Sequence, residues 1–155
     1  MKGFDKMKIG IANDHRGVYL KEKLIEYLEH NGYQVINYGA DTTDTELVDF
    51  PKFAKKLGNG ITNKEVDLGI AICGTGIGMS IALNKMKGIY CAKISNINEA
   101  VLCREHNNAN AIAISADTDL EITKSMIDKF LTTPFSNVDR YDKRIQMIKD
   151  IENNG

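Results

Sequence analysis

Short aliphatic runs recur along the chain at KIGIA (8–12), QVINYG (34–39), DLGIAIC (67–73), IYCAKI (89–94) and NAIAIS (110–115), and stretches with helical spacing lie between them. This alternation predicts βαβ units, and so a five-stranded parallel sheet with helices on both faces. The first, third and fifth runs are mostly aliphatic rather than alternating, which predicts buried central strands. Between the first two runs, Leu20, Leu24 and Leu28 recur every fourth residue with Lys and Glu on the other side, predicting a helix that ends near Asn31-Gly32. Thr118 and Glu121 read as a T-x-x-E capping box before a helix with Ile122, Met126 and Phe130 on one face, stopped by Pro134. The segment from Asp139 to Ile151 is basic and then apolar at Ile145 and Ile148, as a terminal helix would be. Polar loops near 40–49 and 95–98 fall where strands finish, the edge at which open α/β sheets bind ligands.

With 155 residues, the chain is expected to form one domain over 1–155, in which 1–7 is a short polar extension before a strand starting near Met7. A formal net charge of -1 gives no general attraction to nucleic acid or to an anionic membrane, so an anionic ligand needs a local patch. Cys73, Cys91 and Cys103 form no CxxC pair, which argues against a zinc ribbon or disulfide framework and fits a reducing cytoplasm. The amino terminus lacks the apolar stretch of a signal peptide, and no segment is apolar for the roughly 20 residues of a membrane helix.

The segment ICGTGIGMS (72–80) ends an apolar strand in a cysteine and then places glycines at 74, 76 and 78. It has the wrong spacing for a dinucleotide fingerprint and follows the third strand rather than the first. No Gly-Lys-Ser/Thr follows, so it is not a nucleotide P-loop. A short nest of backbone N–H groups remains, running into a helix that starts near Gly78, where negative charge is favoured. That suits a bound phosphate or an oxyanion formed during reaction. Cys73 beside it is either a buried strand-end residue or a base or nucleophile.

Arg140 and Arg144 are four apart and share a helical face, which could be a solvated basic surface or a phosphate fork. His15 follows the first strand at the ligand-binding edge, and His30 closes a helix. His106 is either a helix-end residue or a proton donor. Asp14 could cap the turn that follows it. Two histidines without clustered carboxylates or thiols make no convincing metal site.

Together, NDHRG (13–17), VDFP (48–51), ICGTGIGMSIALNK (72–85), REHNNAN (104–110) and the pair Arg140 and Arg144 resemble the type B ribose-5-phosphate isomerases and their galactose-6-phosphate isomerase relatives. The resemblance spans Lys8 to about Ile148. It implies a Rossmann-like αβα sandwich and a cytoplasmic homodimer or dimer of dimers with shared active sites. It further implies interconversion of aldose and ketose phosphates through an enediolate, without metal or organic cofactor. By resemblance, Cys73 is the base, and the backbone from Gly74 through Gly76 and Ile77 to Gly78 holds the enediolate oxygens. Thr75 and His106 assist ring opening, Asp14 and Asn107 bind sugar hydroxyls, and His15, Arg140 and Arg144 take the phosphate.

Four stretches depart from the family pattern. Asp49-Phe50-Pro51 replaces Asp-Tyr-Pro and loses a hydroxyl. Ser115-Ala116-Asp117 replaces Gly-Ala-Arg, so that a carboxylate stands where a phosphate-binding arginine is usual and would repel or shift that ligand. VDRYDKR (138–144) carries Tyr141 where histidine is usual, and SNINEA (95–100) also differs. The proton-transfer residues are intact and the substrate end is altered, so ribose 5-phosphate stands beside a hexose 6-phosphate such as allose or galactose 6-phosphate. A non-catalytic sugar-phosphate-binding protein and a cysteine hydrolase or transferase are the competing classes.

Overall fold

The computed structural model describes residues 6–42 and 48–155. Most of the 1–7 extension and part of the 40–49 loop therefore lie outside the described residues. The chain runs β1 (Lys8–Asn13), a 3-10 turn (His15–Gly17), α1 (Val18–His30), β2 (Gln34–Asn37), α2 (Phe50–Thr62), β3 (Leu68–Cys73), α3 (Ile77–Asn84), β4 (Cys91–Lys93), α4 (Ile97–Glu105), β5 (Ala111–Ser115), α5 (Leu120–Thr132) and α6 (Asp139–Asn154). Every strand pairing is parallel, in the order β2-β1-β3-β5-β4. This is the expected αβα sandwich, with β1, β3 and β5 in the middle. The edge strands β2 and β4 are shorter than their apolar runs, ending at Asn37 and spanning only Cys91–Lys93. Among the described residues no helix is long and apolar enough to cross a membrane.

The central strands alternate in size where they do not alternate in polarity. Ile9, Ile11, Ile70, Ile72, Ile112 and Ile114 face one core with Leu20, Leu24 and Leu28 of α1, Cys103 of α4 and Phe130 of α5. Ala12, Ala71, Ala111 and Ala113 face the other core, under Leu57 and Ile61 of α2 and Met79 and Leu83 of α3. Gly10 and Gly69 belong to this small face: a Cβ on either would stand 2.7 or 2.8 Å from Leu57 or Ile61 side-chain carbons. The small face lets α2 and α3 lie close on the sheet, as interior packing at near-crystal density requires.

Two local expectations are corrected. The cap of α5 is Asp119, not Thr118; its carboxylate accepts from the N–H groups of Glu121 and Ile122 at 3.1 and 3.2 Å. Two neighbouring residues could cap, and the carboxylate one position later took the role, which also suits the positive helix end. Ile122 does not share the buried face with Met126 and Phe130. It is 47% exposed, while Thr123 is fully buried and bonds back to Asp119 O at 2.8 Å. The loop after β2 is pinned from below by Lys21, 1% exposed, whose ammonium donates to Ala40 O and to Asp41 Oδ1 at 2.5 Å.

Candidate active site

From β1 the chain passes outward to β2 on one side, while β3 lies on the other. The carboxyl ends of β1 and β3 therefore flank the point where strand order reverses, the crevice in which open α/β sheets take ligands. Asn13 stands opposite Ile72, and Cys73 opposite Ser115, so the turns after β1, β3 and β5 meet at one level. Asp14 is buried; its N–H donates to Ile72 O at 3.0 Å, and its carboxylate accepts from Arg16 N at 2.9 Å. The capping reading of Asp14 is thus realised, with its second carboxylate oxygen left for other partners. His15 Nδ1 is buried with no hydrogen-bond partner among the described residues. Such atoms are uncommon in native proteins and mark places where a ligand or water completes the bonding.

The glycine loop has a different reason at each glycine. Gly76 turns the chain at φ +82, and a Cβ there would also stand 3.0 Å from the Ile114 backbone. Gly74 lies under Arg16, whose Nη1 would be 3.0 Å from an added Cβ. Gly78 lies under the Phe50 ring, 2.7 Å from such an atom. Phe50, the departure from tyrosine, thus walls the start of α3.

The tight turn aims the N–H of Gly76 at Cys73 Sγ, 3.2 Å away. Ile77 N donates to Thr75 Oγ1 at 3.1 Å, and α3 begins at Ile77, one residue before the expected start. Two members of the expected N–H nest, Gly76 and Ile77, are therefore engaged within the loop. The donors with no intrahelical acceptor in the first turn are those of Gly78 and Met79, where the helix dipole adds its pull on an anion.

Two residues passed over in the sequence complete this corner. Arg16, inside the NDHRG motif, pairs with Asp117 at 3.3 Å. The carboxylate at 117 thus has its charge met by a guanidinium, and this corner does not present the bare negative charge the sequence suggested. Ser115 Oγ donates to Gly74 O at 2.8 Å and accepts from Asp117 N at 3.1 Å, tying the turns after β3 and β5 together. The signal for both was their place next to strand ends; nothing in their residue types announced it.

His106, Asn107, Arg140 and Arg144 lie elsewhere. A helix that follows a parallel strand runs back along it, so the end of α4 reaches the edge where strands begin. His106 caps α4 there, a few residues before β5. Its ring stacks on Tyr141 of α6 with centroids 4.4 Å apart, and the Arg140 guanidinium lies 4.6 Å from the Tyr141 centroid. Arg144 is exposed one turn further along α6. Asn107 lines a cavity of about 710 Å³ with Asp67 and Leu68, where β3 starts. Cys73 is at the far end of that strand of 6 residues, roughly 15–20 Å away at the usual strand rise. One chain brings together Asp14, His15, Cys73 and the loop from Gly74 to Gly78; it places His106, Asn107, Arg140 and Arg144 at the opposite edge.

The other cysteines pack in the two cores, Cys103 within one and Cys91 against the other. Burial pushes the Cys91 thiol up to about 12 and the Cys103 thiol up to about 11, so neither ionises near neutral pH.

The sequence matches the Ribose/Galactose Isomerase family over residues 9–148. It is 37% identical over 146 residues to ribose-5-phosphate isomerase B of Escherichia coli, covering 94% of this chain and 96% of that protein. Among solved structures, ribose-5-phosphate isomerase B of Clostridium thermocellum superposes with a TM-score of 0.91 at 38% identity, covering 95% of this chain and 98% of that one. The Mycoplasma genitalium ribose-5-phosphate isomerase B, solved with bound ribulose-5-phosphate, gives 0.89 at 34% identity, covering 96% and 97%. Sequence and fold agree over more than nine-tenths of the chain, and the chain belongs to the ribose/galactose isomerase family, as an aldose–ketose isomerase.

Proposed function

We propose that this protein interconverts ribose 5-phosphate and ribulose 5-phosphate, with the Cys73 thiolate as the base. The thiolate takes the proton from C2 of the open-chain aldose; the C–H electron pair forms the C1–C2 double bond, and the carbonyl pair moves onto O1. The proton then goes to C1, and the hydroxyl proton on O2 passes to O1 as O2 becomes the ketone oxygen. The observation that carries this reading is the 3.2 Å contact of Gly76 N–H with Cys73 Sγ, at the switch point of the sheet and beside the start of α3. The Gly78 and Met79 N–H groups suit the enediolate oxygens, since donors fixed in advance act most strongly where charge develops. Asp14 and Asn107 would hold sugar hydroxyls, His15, Arg140 and Arg144 the phosphate, and Thr75 and His106 would assist ring opening, with His106 donating a proton.

Such a site needs two copies of the chain, because Cys73 and His106 stand at opposite edges of one sheet. A homodimer in which one protomer supplies the cysteine loop and its partner the His106 edge joins the two groups. The ribulose-5-phosphate bound in the Mycoplasma genitalium relative supports a five-carbon substrate.

The test is turnover of ribose 5-phosphate beside allose and galactose 6-phosphates, with solvent deuterium entering the product. Cys73→Ala should lose about 10²–10⁴-fold in kcat, the usual share of a positioned base. A trapped thioester or thioether adduct would favour the hydrolase or transferase class, and binding without any turnover a non-catalytic role.

A further inference from the structure

We propose that Arg16 contacts the substrate, offering its guanidinium to an anionic oxygen of the bound sugar phosphate, and that Asp117 is the positioning residue that holds it there. The inference rests on the isomerase reading above and adds a residue to that site. Arg16 leaves from the turn after β1 and Asp117 from the turn after β5, with β3 between them. Their ion pair therefore crosses the end of β3, the strand that delivers Cys73.

The Arg16 side chain lies on the loop itself. A Cβ on Gly74 would stand 3.0 Å from Nη1 and 3.5 Å from Cδ and Cζ. The pair uses one guanidinium nitrogen, Nη2, which reaches both Asp117 oxygens at 3.3 and 3.4 Å. Among the described residues Nη1 and Nε have no acceptor, and they offer a planar fork suited to phosphate or enediolate oxygens. The mount is fixed from both sides. Arg16 N bonds to Asp14, and the Asp117 turn is tied through Ser115 Oγ to Gly74 O.

Stability does not explain the arrangement. The side chains are 51% and 74% exposed, and exposed pairs of this kind contribute little to folding. Function gives a reason: the substrate is an anion throughout, the chain carries a net charge of -1, and Arg16 is a cation resting on the loop beside the base. Asp117 keeps the guanidinium over Gly74 rather than free in solvent.

The test compares Arg16→Ala, Arg16→Lys, Asp117→Asn and the double variant Arg16→Ala/Asp117→Asn. Arg16→Ala should lower kcat/KM about 10- to 100-fold, the scale of a charge-assisted hydrogen bond, with little change in Tm. Arg16→Lys should recover only part, because a point charge does not replace the fork. A loss in KM, with weaker competitive inhibition by inorganic phosphate, identifies the contact as the phosphate; a loss in kcat alone identifies it as the enediolate. Asp117→Asn should cost less, and nothing further once Arg16 is Ala. A value within twofold of wild type for Arg16→Ala overturns the proposal, and one within twofold for Asp117→Asn overturns the positioning role of Asp117. Should the wild type turn over no sugar phosphate, the isomerase reading falls, and calorimetric binding of ribose 5-phosphate to Cys73→Ala, with and without Arg16→Ala, decides this proposal separately: equal affinities overturn it.

Discussion

Gly76 and Gly74 sit two residues apart, look alike in the sequence and differ in what they tolerate. At Gly76 a side chain meets the rigid Ile114 backbone and a left-handed φ of +82, so Gly76→Ala should destabilise by about 1–3 kcal/mol and disturb the N–H held on Cys73. At Gly74 a methyl group meets the far end of a flexible arginine, so Gly74→Ala should fold with nearly unchanged Tm. Thermal melts of the two variants check the contrast; equal losses would mean the loop is strained throughout. That a cysteine and three glycines form a special turn was legible from their spacing. Which N–H groups the turn keeps for itself was not, because hydrogen-bond pairing within the loop depends on dihedral angles that spacing does not specify.

At the level of elements, helix starts show how local signals compete. Asn96 accepts from Glu99 N at 2.8 Å, and Glu99 reaches back to Ser95 N at 2.7 Å, a reciprocal cap of the kind read at Thr118 and Glu121. The pattern was present at both places, and at the second an adjacent carboxylate prevailed. The loop after β2 depends on a longer contact, from Lys21 of α1 to Asp41. Hydrogen bonds from Lys21 and Asn37 hold the Asp41 carboxyl below its ordinary 3.8. A depressed folded-state value means that the contribution to stability is complete above 3.8 and is lost as the pH falls through the lowered value. The Tm difference between wild type and Asp41→Asn should therefore be constant from neutral pH to about pH 5 and shrink towards pH 2. A difference that grows with acidity would contradict the pairing.

For the whole molecule, the two groups of site residues at opposite sheet edges make a direct prediction. Mixing Cys73→Ala with His106→Ala subunits, each inactive alone, should restore activity, since a mixed dimer holds one intact site. Random exchange gives about a quarter of the wild-type value. Activity that stays at the sum of the two variants would mean the site is not shared. The exposed Ile148 and Ile151 of α6, a helix with no buried residue, are consistent with a face that meets a second copy.

The sequence by itself determined the layer order of this protein: aliphatic runs in β1, β3 and β5 can be satisfied only by burial on both faces, and the spacing of Leu20, Leu24 and Leu28 places α1 on one of them. It also determined the family, through motifs whose order is as specific as their residues. Tertiary structure alone decided that the small and large residues of each strand face different cores, that Arg16 meets Asp117 across 101 positions of chain, and that His106 stands at the edge away from Cys73. The physical reason is common to all three. Periodicity and motif record what neighbours along the chain require of one another, whereas a partner brought in by strand order leaves no mark on local sequence.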